Sequence, residues 1–314
     1  MADAYNDNEF EGLGSSNSTP VGNEGGFETS DANDNDIGGY TSNEDRQPTL
    51  EDDITVHVTN KTAPIVLFFG APSSGKTMTL VRLAKYLRSK NYQLTVDSNF
   101  CRSAWEYKEN MNNFHEMLGT QYALKGTNRN DFLFIQIKDP KGNVICQLLE
   151  GAGENYFPSQ GRNRASLGFP RYMTEVFSTP NKKVWTFITE PYWSVDPNDK
   201  DEYVHRIQYC KSQYSGKKDK FIVLYNKVDL SGTMIDKDSV NEKAAMKMCN
   251  DEFPGIFKTF EKDGLFGKSI KCKFVPFSTG RFGELNSSGR INYTPSADSH
   301  PARLWDAILK SIKA

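Results

Sequence analysis

Residues 70–77, GAPSSGKT, have the residue types and spacing that hold phosphate groups. They fit the pattern GxxxxGK[ST], in which Gly70 and Gly75 let the backbone curl so that successive N–H groups point at phosphate oxygens. Lys76 is then expected to reach the outer phosphates and Thr77 to ligate a magnesium ion. The predicted phosphate-binding residues are Gly70, Ser73, Ser74, Gly75, Lys76 and Thr77. An apolar run before the loop and helical spacing after it favour this interpretation over a chance Gly-rich turn.

A second polar segment, Asn226-Lys227-Val228-Asp229, follows the apolar run FIVLY. Asp229 is placed to accept hydrogen bonds from N1 and N2 of guanine, whereas adenine offers no such pair of donors on that edge. A buried carboxylate left without its donors costs on the order of a few kcal/mol. The site is therefore expected to reject ATP because of these unmet hydrogen bonds. Lys227 is expected to pack its stem along the base, and Asn226 to tie this segment to the phosphate loop. The two segments together favour a guanine nucleotide.

The phosphate loop alone does not choose the reaction, because kinases and ATPases use it too. GAPSSGKT is also similar to nucleoside-kinase loops. Three hypotheses therefore stay open: a GTP hydrolase acting as a nucleotide-dependent switch, a GTP-gated binding module with negligible hydrolysis, and a nucleotide kinase with a second, phosphate-accepting substrate. The segment NKVD gives no support to the kinase.

The elements that must position these segments follow an alternating pattern from residue 54 onward. Apolar runs of strand length alternate with amphipathic stretches of helical length, which is typical of a parallel sheet covered by helices. The predicted strands are PIVLFF, DFLFIQI, VICQLL, VWTFIT, FIVLYN and KCKFVPF. Helices are predicted at about 77–89, 104–118, 200–213, 238–252 and 300–312. The turn KDPKGN joins two strands as a hairpin. The predicted fold is α/β, a mostly parallel sheet of about six strands with helices on both faces and one antiparallel edge hairpin.

Charge is distributed unevenly along the chain. The first 53 residues hold 14 acidic residues and one basic residue, a charge of −13, so the remainder carries +11 against a total of −2. The first 50 residues are rich in Asn, Asp, Gly and Ser and nearly free of aliphatic residues, which is typical of disorder. We therefore predict an acidic tail over 1–53 and one nucleotide-binding domain over 54–314, with insertions near 91–125 and 231–270.

The remaining composition limits the protein class. Five cysteines at wide spacings without a CxxC pair favour a reducing cytoplasm. No signal peptide or membrane-spanning run is predicted. Lysines at 217, 218 and 220 and at 268, 271 and 273 flank strands, where solvated charges are common, and no aromatic platform accompanies them. We therefore expect no nucleic acid partner.

Beyond these motifs, the chain from about 60 to 314 resembles the P-loop GTPases of the translation-factor and Ras-like (TRAFAC) class. Ser278-Thr279-Gly280 is similar to that family's SAK loop, whose backbone contacts guanine O6. The segment LEGAGE, residues 149–154, resembles the family's DxxG segment. The resemblance implies that Gly153 contacts the terminal phosphate and that Glu150, in place of Asp, holds magnesium through water.

The resemblance also implies residues for catalysis and regulation. Thr127 occupies the position of the family's switch threonine, which completes the magnesium shell and senses the third phosphate, and Thr120 is the second candidate. Glu154 stands where many relatives carry the residue that orients the attacking water. An arginine at 162, 164 or 171 is a less favoured candidate for an internal arginine finger.

The two insertions resemble those of bacterial GTPases that are sometimes encoded in conflict systems. We expect a protein effector or activator as a partner, and a nucleotide-dependent homodimer stays an open alternative.

Overall fold

The computed structural model describes residues 56–122, 132–158, 163–192, 196–264, 267–287 and 290–314. The strands are β1 (Ile65–Gly70), β2 (Gln93–Val96), β3 (Phe132–Lys138), β4 (Val144–Gly151), β5 (Lys183–Thr189), β6 (Lys220–Tyr225), β7 (Glu261–Gly264), β8 (Gly267–Ile270), β9 (Cys272–Pro276), β10 (Gly280–Leu285) and β11 (Ile291–Pro295). The helices are α1 (Lys76–Ser89), α2 (Ala104–Gly119), α3 (Gly153–Tyr156), α4 (Arg171–Ser178), α5 (Pro197–Tyr214), α6 (Glu242–Glu252) and α7 (Ser299–Lys313).

Seven strands form one sheet in the order β2-β3-β4-β1-β5-β6-β9. Strand β3 runs antiparallel to both neighbours, and the other pairings are parallel. Because parallel strands point the same way, the loops after β1, β4, β5, β6 and β9 meet at one edge of the sheet, where such folds bind ligands. The polar segments singled out in the sequence follow four of these five strands.

Helices cover both faces of the sheet, as the side chains of β1 illustrate. Val66 and Phe68 pack in one apolar cluster with side chains of α1, α2 and α7, including Leu83. Leu67 and Phe69 point into the opposite cluster, formed with α4, α5 and α6. All six residues of β1 are buried, which explains why the strand is a continuous apolar run and not an alternating one.

The predicted fold class is confirmed. All six predicted strands are present, and so is the hairpin β3–β4. A seventh strand, β2, extends the sheet beyond the hairpin; its sequence QLTV is short and mostly exposed, so it lacks the apolar run that marks the others. The five predicted helices are also present. The helix predicted from 238 begins at Glu242, since the Asn241 side chain accepts a hydrogen bond from the N–H of Ala244 at 3.1 Å.

The two predicted insertions hold secondary structure of their own. The first contains β2 and α2, and the second contains α6 and the hairpin β7–β8. The acidic segment 1–53 lies outside the described residues. All five cysteines are free. Among the described helices, none has both the length and the apolar character needed to cross a membrane.

Candidate nucleotide-binding site

The loop between β1 and α1 curls in the way that its glycines permit. Gly75, the residue before α1, has a φ of +87°, and Ser73 a φ of +61°. A Cβ at Gly75 would lie 2.4 Å from the Asn226 amide nitrogen, so only glycine fits there. The first turn of α1 leaves its backbone N–H groups directed at the loop, which is the arrangement that binds anions. Residues 70–77 thus form a curled loop at the edge of the sheet where such folds bind ligands.

Lys76 lies inside this loop with a side chain that is almost wholly buried. Its ammonium donates to the Ala71 carbonyl oxygen at 3.0 Å and lies 5.8 Å from the centre of the Tyr156 ring. Burial lowers the pKa of Lys76 to about 8, although the charges of Glu150 and Glu154 act in the opposite direction. A lysine held in this state gains from an approaching anion, because the anion restores the interactions lost on burial.

Thr77 and Glu150 bring a hydroxyl and a carboxylate together at the start of α1. The Thr77 hydroxyl donates to Glu150 Oε1 at 2.8 Å, and Glu150 is buried near the end of β4. Oxygen ligands of this kind suit a hard cation such as magnesium. Within the described ranges, no cluster of three or more His, Cys, Asp or Glu side chains is placed to hold a metal. Thr77 and Glu150 would suit a magnesium ion that takes its other ligands from phosphate and water.

The segment after β4 touches the phosphate loop through Gly153. A Cβ at Gly153 would lie 2.3 Å from the Pro72 nitrogen and 2.7 Å from the Ala71 carbonyl carbon, so the two backbones are in direct contact. Helix α3 begins at this glycine, and Glu154 follows with a half-exposed side chain. The charge of Glu154 is close enough to act on Lys76. The backbone at Gly153 thus lies directly against the phosphate loop at Ala71 and Pro72.

Two side chains of the segment after β6 reach the phosphate loop. Asn226, which is fully buried, donates from Nδ2 to the Ser74 carbonyl oxygen at 2.9 Å. Lys227 donates to the Ser73 carbonyl oxygen at 3.1 Å and forms an ion pair with Glu190 at the end of β5. The expected tie between the two segments is therefore present at Asn226, and Lys227 adds a second one.

Asp229 lies beside the loop that follows β9. Val228 donates its N–H to the Phe277 carbonyl oxygen at 3.1 Å, which joins the two loops. Within the described chain, the half-buried Asp229 carboxylate accepts no hydrogen bond and forms no ion pair. Thr279 is buried, and its N–H has no acceptor among the described residues. A free acceptor and a free donor thus lie on adjacent loops, as a guanine base requires.

A buried histidine contacts the loop after β9, and no pattern in the sequence indicated this role. Ser278 donates its N–H to His300 Nδ1 at 3.2 Å, and His300 is fully buried. Burial, with the charge of Arg303 next, lowers the pKa of His300 to about 4, so the ring is neutral near pH 7. Gly280 has a φ of +135°, where only glycine is unstrained. The Gly in place of the lysine of SAK is therefore required by this backbone.

Of the two candidate switch threonines, the structure describes only Thr120. Thr120 ends α2, and its carbonyl oxygen accepts a hydrogen bond from Lys85 of α1 at 2.7 Å. Lys85 is eight residues beyond Thr77, about 12 Å along the helix axis. Thr120 is therefore not placed to ligate the same cation as Thr77. Thr127 lies outside the described residues.

The guanidinium of Arg164, one of the candidate arginine fingers, is paired with carboxylates of α5. Arg164 forms ion pairs with Asp199 and Glu202 of α5, each at 2.5 Å. In return, Arg206 of α5 is fully buried and donates to the Tyr156 carbonyl oxygen at 2.9 Å. These contacts hold the segment after α3 against α5. Arg162 lies outside the described residues, and Arg171 is exposed at the start of α4.

The chain was compared with known proteins. No protein-family model matches the sequence, and no curated protein matches it. Among solved structures it is similar to the Saccharomyces cerevisiae Ski7 GTPase-like domain bound to GDP and inorganic phosphate, with 17% identity and a TM-score of 0.40, over 80% of this chain and 49% of that one. It is also similar to a putative nucleolar GTP-binding protein 1 from Plasmodium falciparum, with 14% identity and a TM-score of 0.37, over 83% and 90% of the chains.

A third similar structure is the bacterial selenocysteine-specific elongation factor EF-Sec, with 12% identity and a TM-score of 0.35, over 79% of this chain and 28% of that one. This chain thus spans under a third of the EF-Sec chain and about half of the chain of the Ski7 GTPase-like domain. The strand order, the antiparallel hairpin and the phosphate loop after β1 give this chain the fold of a translation-factor-like P-loop GTPase.

Proposed function

We propose that this protein binds guanine nucleotides with magnesium, hydrolyses GTP, and acts as a nucleotide-dependent switch in the cytoplasm. The observation that carries the proposal is the joined pair of loops: Asn226 bonds to the phosphate loop, and three residues later Asp229 presents a free carboxylate. This pair of joined loops supports a site in which one loop binds the phosphates and the other selects guanine.

Base selection follows from hydrogen bonding. The Asp229 carboxylate is an acceptor for guanine N1 and N2, and the free N–H of Thr279 is a donor for O6. Adenine presents an amino donor where guanine has O6 and no proton at N1, so it leaves both protein groups unpaired. Unpaired buried groups of this kind cost about 1–3 kcal/mol each, which corresponds to a strong preference for guanine.

Phosphate binding depends on the loop backbone and on Lys76. The N–H groups at the start of α1 and the Lys76 ammonium would bind the β- and γ-phosphates, and Thr77 and Glu150, which are in hydrogen-bond contact, would hold magnesium. Magnesium neutralises the charge that develops on the transferred phosphoryl group. Lys76 contributes a positive charge at the same place, and its low pKa means that phosphate binding favours its protonated form.

Hydrolysis is expected to be slow in the isolated protein. Glu154 occupies the position from which a side chain orients the attacking water, and a carboxylate can accept a hydrogen bond from that water. Its negative charge, however, lies near the terminal phosphate and raises the barrier by repulsion. We therefore expect turnover well below about 1 per second, against roughly 5–20 per second for a relative stimulated by its partner.

The charge of Glu154 also favours the second hypothesis, a GTP-gated binding module with negligible hydrolysis. Thin-layer analysis of labelled GTP separates the hypotheses. Slow release of phosphate without an acceptor supports a GTPase. Tight GTP binding without phosphate release supports the binding module. Transfer of label only when a nucleoside or nucleotide acceptor is added would establish the kinase and overturn the proposal.

A variant at Glu154 tests its role within the hydrolase. If Glu154 orients water, Glu154→Gln slows turnover while the affinity for GTP is unchanged. If it only packs the start of α3, the same variant leaves the rate unchanged or raises it, because the repulsive charge is gone. If Thr127 completes the magnesium shell, Thr127→Ala is expected to lower the turnover of GTP. A protein activator or a nucleotide-dependent homodimer is proposed as the source of acceleration.

A further inference from the structure

We propose that a second cavity, at the edge of the sheet opposite the candidate nucleotide site, binds a small molecule that carries several phosphate groups. The cavity has a volume of about 390 Å³ and lies at the amino end of β6, with Phe221 in its wall. Asn226 of the candidate nucleotide site follows the carboxyl end of the same strand. Five residues of extended chain separate them, about 16 Å. The two sites are therefore distinct.

The wall of this cavity is strongly positive. Four lysines line it: Lys211, Lys217, Lys258 and Lys262. They come from the last turn of α5, the loop before β6, the turn before β7, and β7 itself. Lysines 217, 258 and 262 are exposed, and Lys211 is half-buried. The fold thus gathers into one pocket two pairs of lysines that lie at least 41 residues apart in the sequence.

The single carboxylate in the wall does not neutralise these charges. Asp219 accepts hydrogen bonds from the N–H of Lys183 at 2.9 Å, from Trp185 Nε1 at 3.1 Å and from the N–H of Gly216 at 2.9 Å. It is buried, and its bonds fix the turn into β6. With this carboxylate counted, the wall still carries three net positive charges. Glu261, next to Lys262, lies 3.6 Å from the Lys268 ammonium instead.

The ammonium groups in the cavity wall repel one another, as the pKa of Lys211 indicates. Its ammonium donates to the Thr259 carbonyl oxygen, so the side chain is fixed toward the cavity wall. Burial lowers the pKa of Lys211, and the charge of Lys262 lowers it further. An anion between these two ammonium groups removes the repulsion and compensates the burial, so the pocket is built to gain from a negative ligand.

Size and surface chemistry favour a small phosphorylated molecule over nucleic acid. A cavity of this volume falls in the range of small-ligand sites, about 300–1,000 Å³. Lysines bind phosphate as point charges without demanding a planar partner. Single-stranded nucleic acid needs exposed aromatic rings for stacking. None of the exposed aromatic side chains in the described ranges lies in this wall, where Phe221 is 9% exposed.

The test uses inorganic tripolyphosphate as the probe and the full chain saturated with GDP and magnesium, so that the phosphate loop is occupied. Calorimetry at low salt is expected to show one site, weakened at least tenfold in the double variant Lys258→Gln/Lys262→Gln. The control, Lys108→Gln/Lys243→Gln, removes the same charge from exposed residues of α2 and α6 and is expected to bind as the unchanged protein does. Equal melting temperatures of the two double variants verify that both are folded.

A second titration keeps this proposal separate from the proposed function. Lys76→Ala, without GDP, is expected to retain the tripolyphosphate site, because that variant damages only the phosphate loop. Vesicles then identify the source of the ligand: sedimentation with phosphatidylinositol bisphosphate but not with phosphatidylserine indicates a lipid headgroup, and no sedimentation indicates a free molecule. Absence of saturable tripolyphosphate binding, or equal weakening of binding in both double variants, would overturn the proposal. Loss of tripolyphosphate binding in Lys76→Ala would overturn it as well. So would an oligonucleotide that binds through Lys258 and Lys262 when tripolyphosphate does not.

Discussion

Asn226 donates a hydrogen bond from Nδ2 to the Ser74 carbonyl oxygen at 2.9 Å, and so joins the loop after β6 to the loop after β1. Both atoms are buried, and a Cβ at Gly75 would lie 2.4 Å from the same amide nitrogen. The two loops are therefore packed as one unit, in which a displacement of either moves the other. A base held by one loop then fixes the position of phosphates held by the other.

Asn226→Ala is expected to weaken both stability and nucleotide binding. The variant leaves the buried Ser74 carbonyl oxygen without its donor, a loss of about 1–3 kcal/mol. We expect a lower melting temperature and at least a tenfold loss of GDP affinity, measured by calorimetry. Asn143→Ala, which removes an exposed amide from the turn between β3 and β4, is the control and leaves GDP affinity unchanged. Full GDP affinity in Asn226→Ala would show that the tie is only structural.

Gly153→Ala is expected to separate the segment after β4 from the phosphate loop. The added Cβ would lie 2.3 Å from the Pro72 nitrogen, and backbone cannot yield as a flexible side chain does. We expect GTP affinity and turnover to fall more than GDP affinity, because the proposed function puts this contact beside the terminal phosphate. Gly168→Ala is the matched control in the same region, since a Cβ there meets nothing within 4 Å. Equal effects of the two variants on GTP binding would contradict this geometry.

The affinity for GDP is expected to fall as pH rises above 8. The free protein has a Lys76 pKa of about 8, and only the protonated form attracts phosphate. If the bound phosphates keep Lys76 protonated, affinity falls roughly sixfold between pH 7 and pH 8.8. Calorimetry across this range checks the prediction, with the range kept below the pH at which guanine itself ionises. An affinity that does not change up to pH 8.8 would place the Lys76 ammonium away from the phosphates.

Because the pKa of Lys76 is low, the free energy of unfolding of the nucleotide-free protein is expected to rise with pH. Lys76 has an ordinary pKa of 10.5 when unfolded and about 8 when folded, so between these values the unfolded state holds the extra proton. Stability therefore increases between about pH 8 and pH 10.5, as the folded state loses an unfavourable buried charge. Urea unfolding of the unchanged protein and of Lys76→Met isolates this contribution, and parallel pH profiles would exclude it.

Removal of residues 1–53 is expected to leave folding and GDP binding unchanged. This segment lacks the apolar content needed to join a core, while the strand and loop residues of the site begin at β1. Melting temperature and GDP affinity of the truncated chain test the predicted domain boundary. A large drop in either would assign the acidic segment to the nucleotide-binding domain.

The sequence predicts the parts of the fold that are buried on both sides. Strands such as β1 and β6 are apolar runs because helices cover both of their faces, and that run is visible without a structure. Strand β2 has only one buried residue, Val96, so its four residues carry no pattern. Helix α4 has eight residues, too few for a periodicity to be distinguished from chance.

The candidate site divides in the same way. The phosphate loop and NKVD are visible because their residues are adjacent in the chain. Glu190 and His300 are not, because each acts on a partner that only the fold brings near: Glu190 on Lys227, and His300 on Ser278. Their signal in the sequence is weak, a single charged residue after a strand and a single histidine at a helix start.

The proposed selection of guanine by Asp229 is tested by calorimetry on one variant. The unchanged protein is expected to bind GDP far more tightly than ADP. In Asp229→Asn the carboxylate acceptor becomes an amide that can also donate, so preference is expected to move from GDP toward xanthosine diphosphate, which has an oxygen in place of the guanine amino group. Asp251→Asn, on the exposed face of α6, is the control and keeps the preference for GDP. Equal affinity of the unchanged protein for GDP and ADP, or an unaltered preference in Asp229→Asn, would contradict the account.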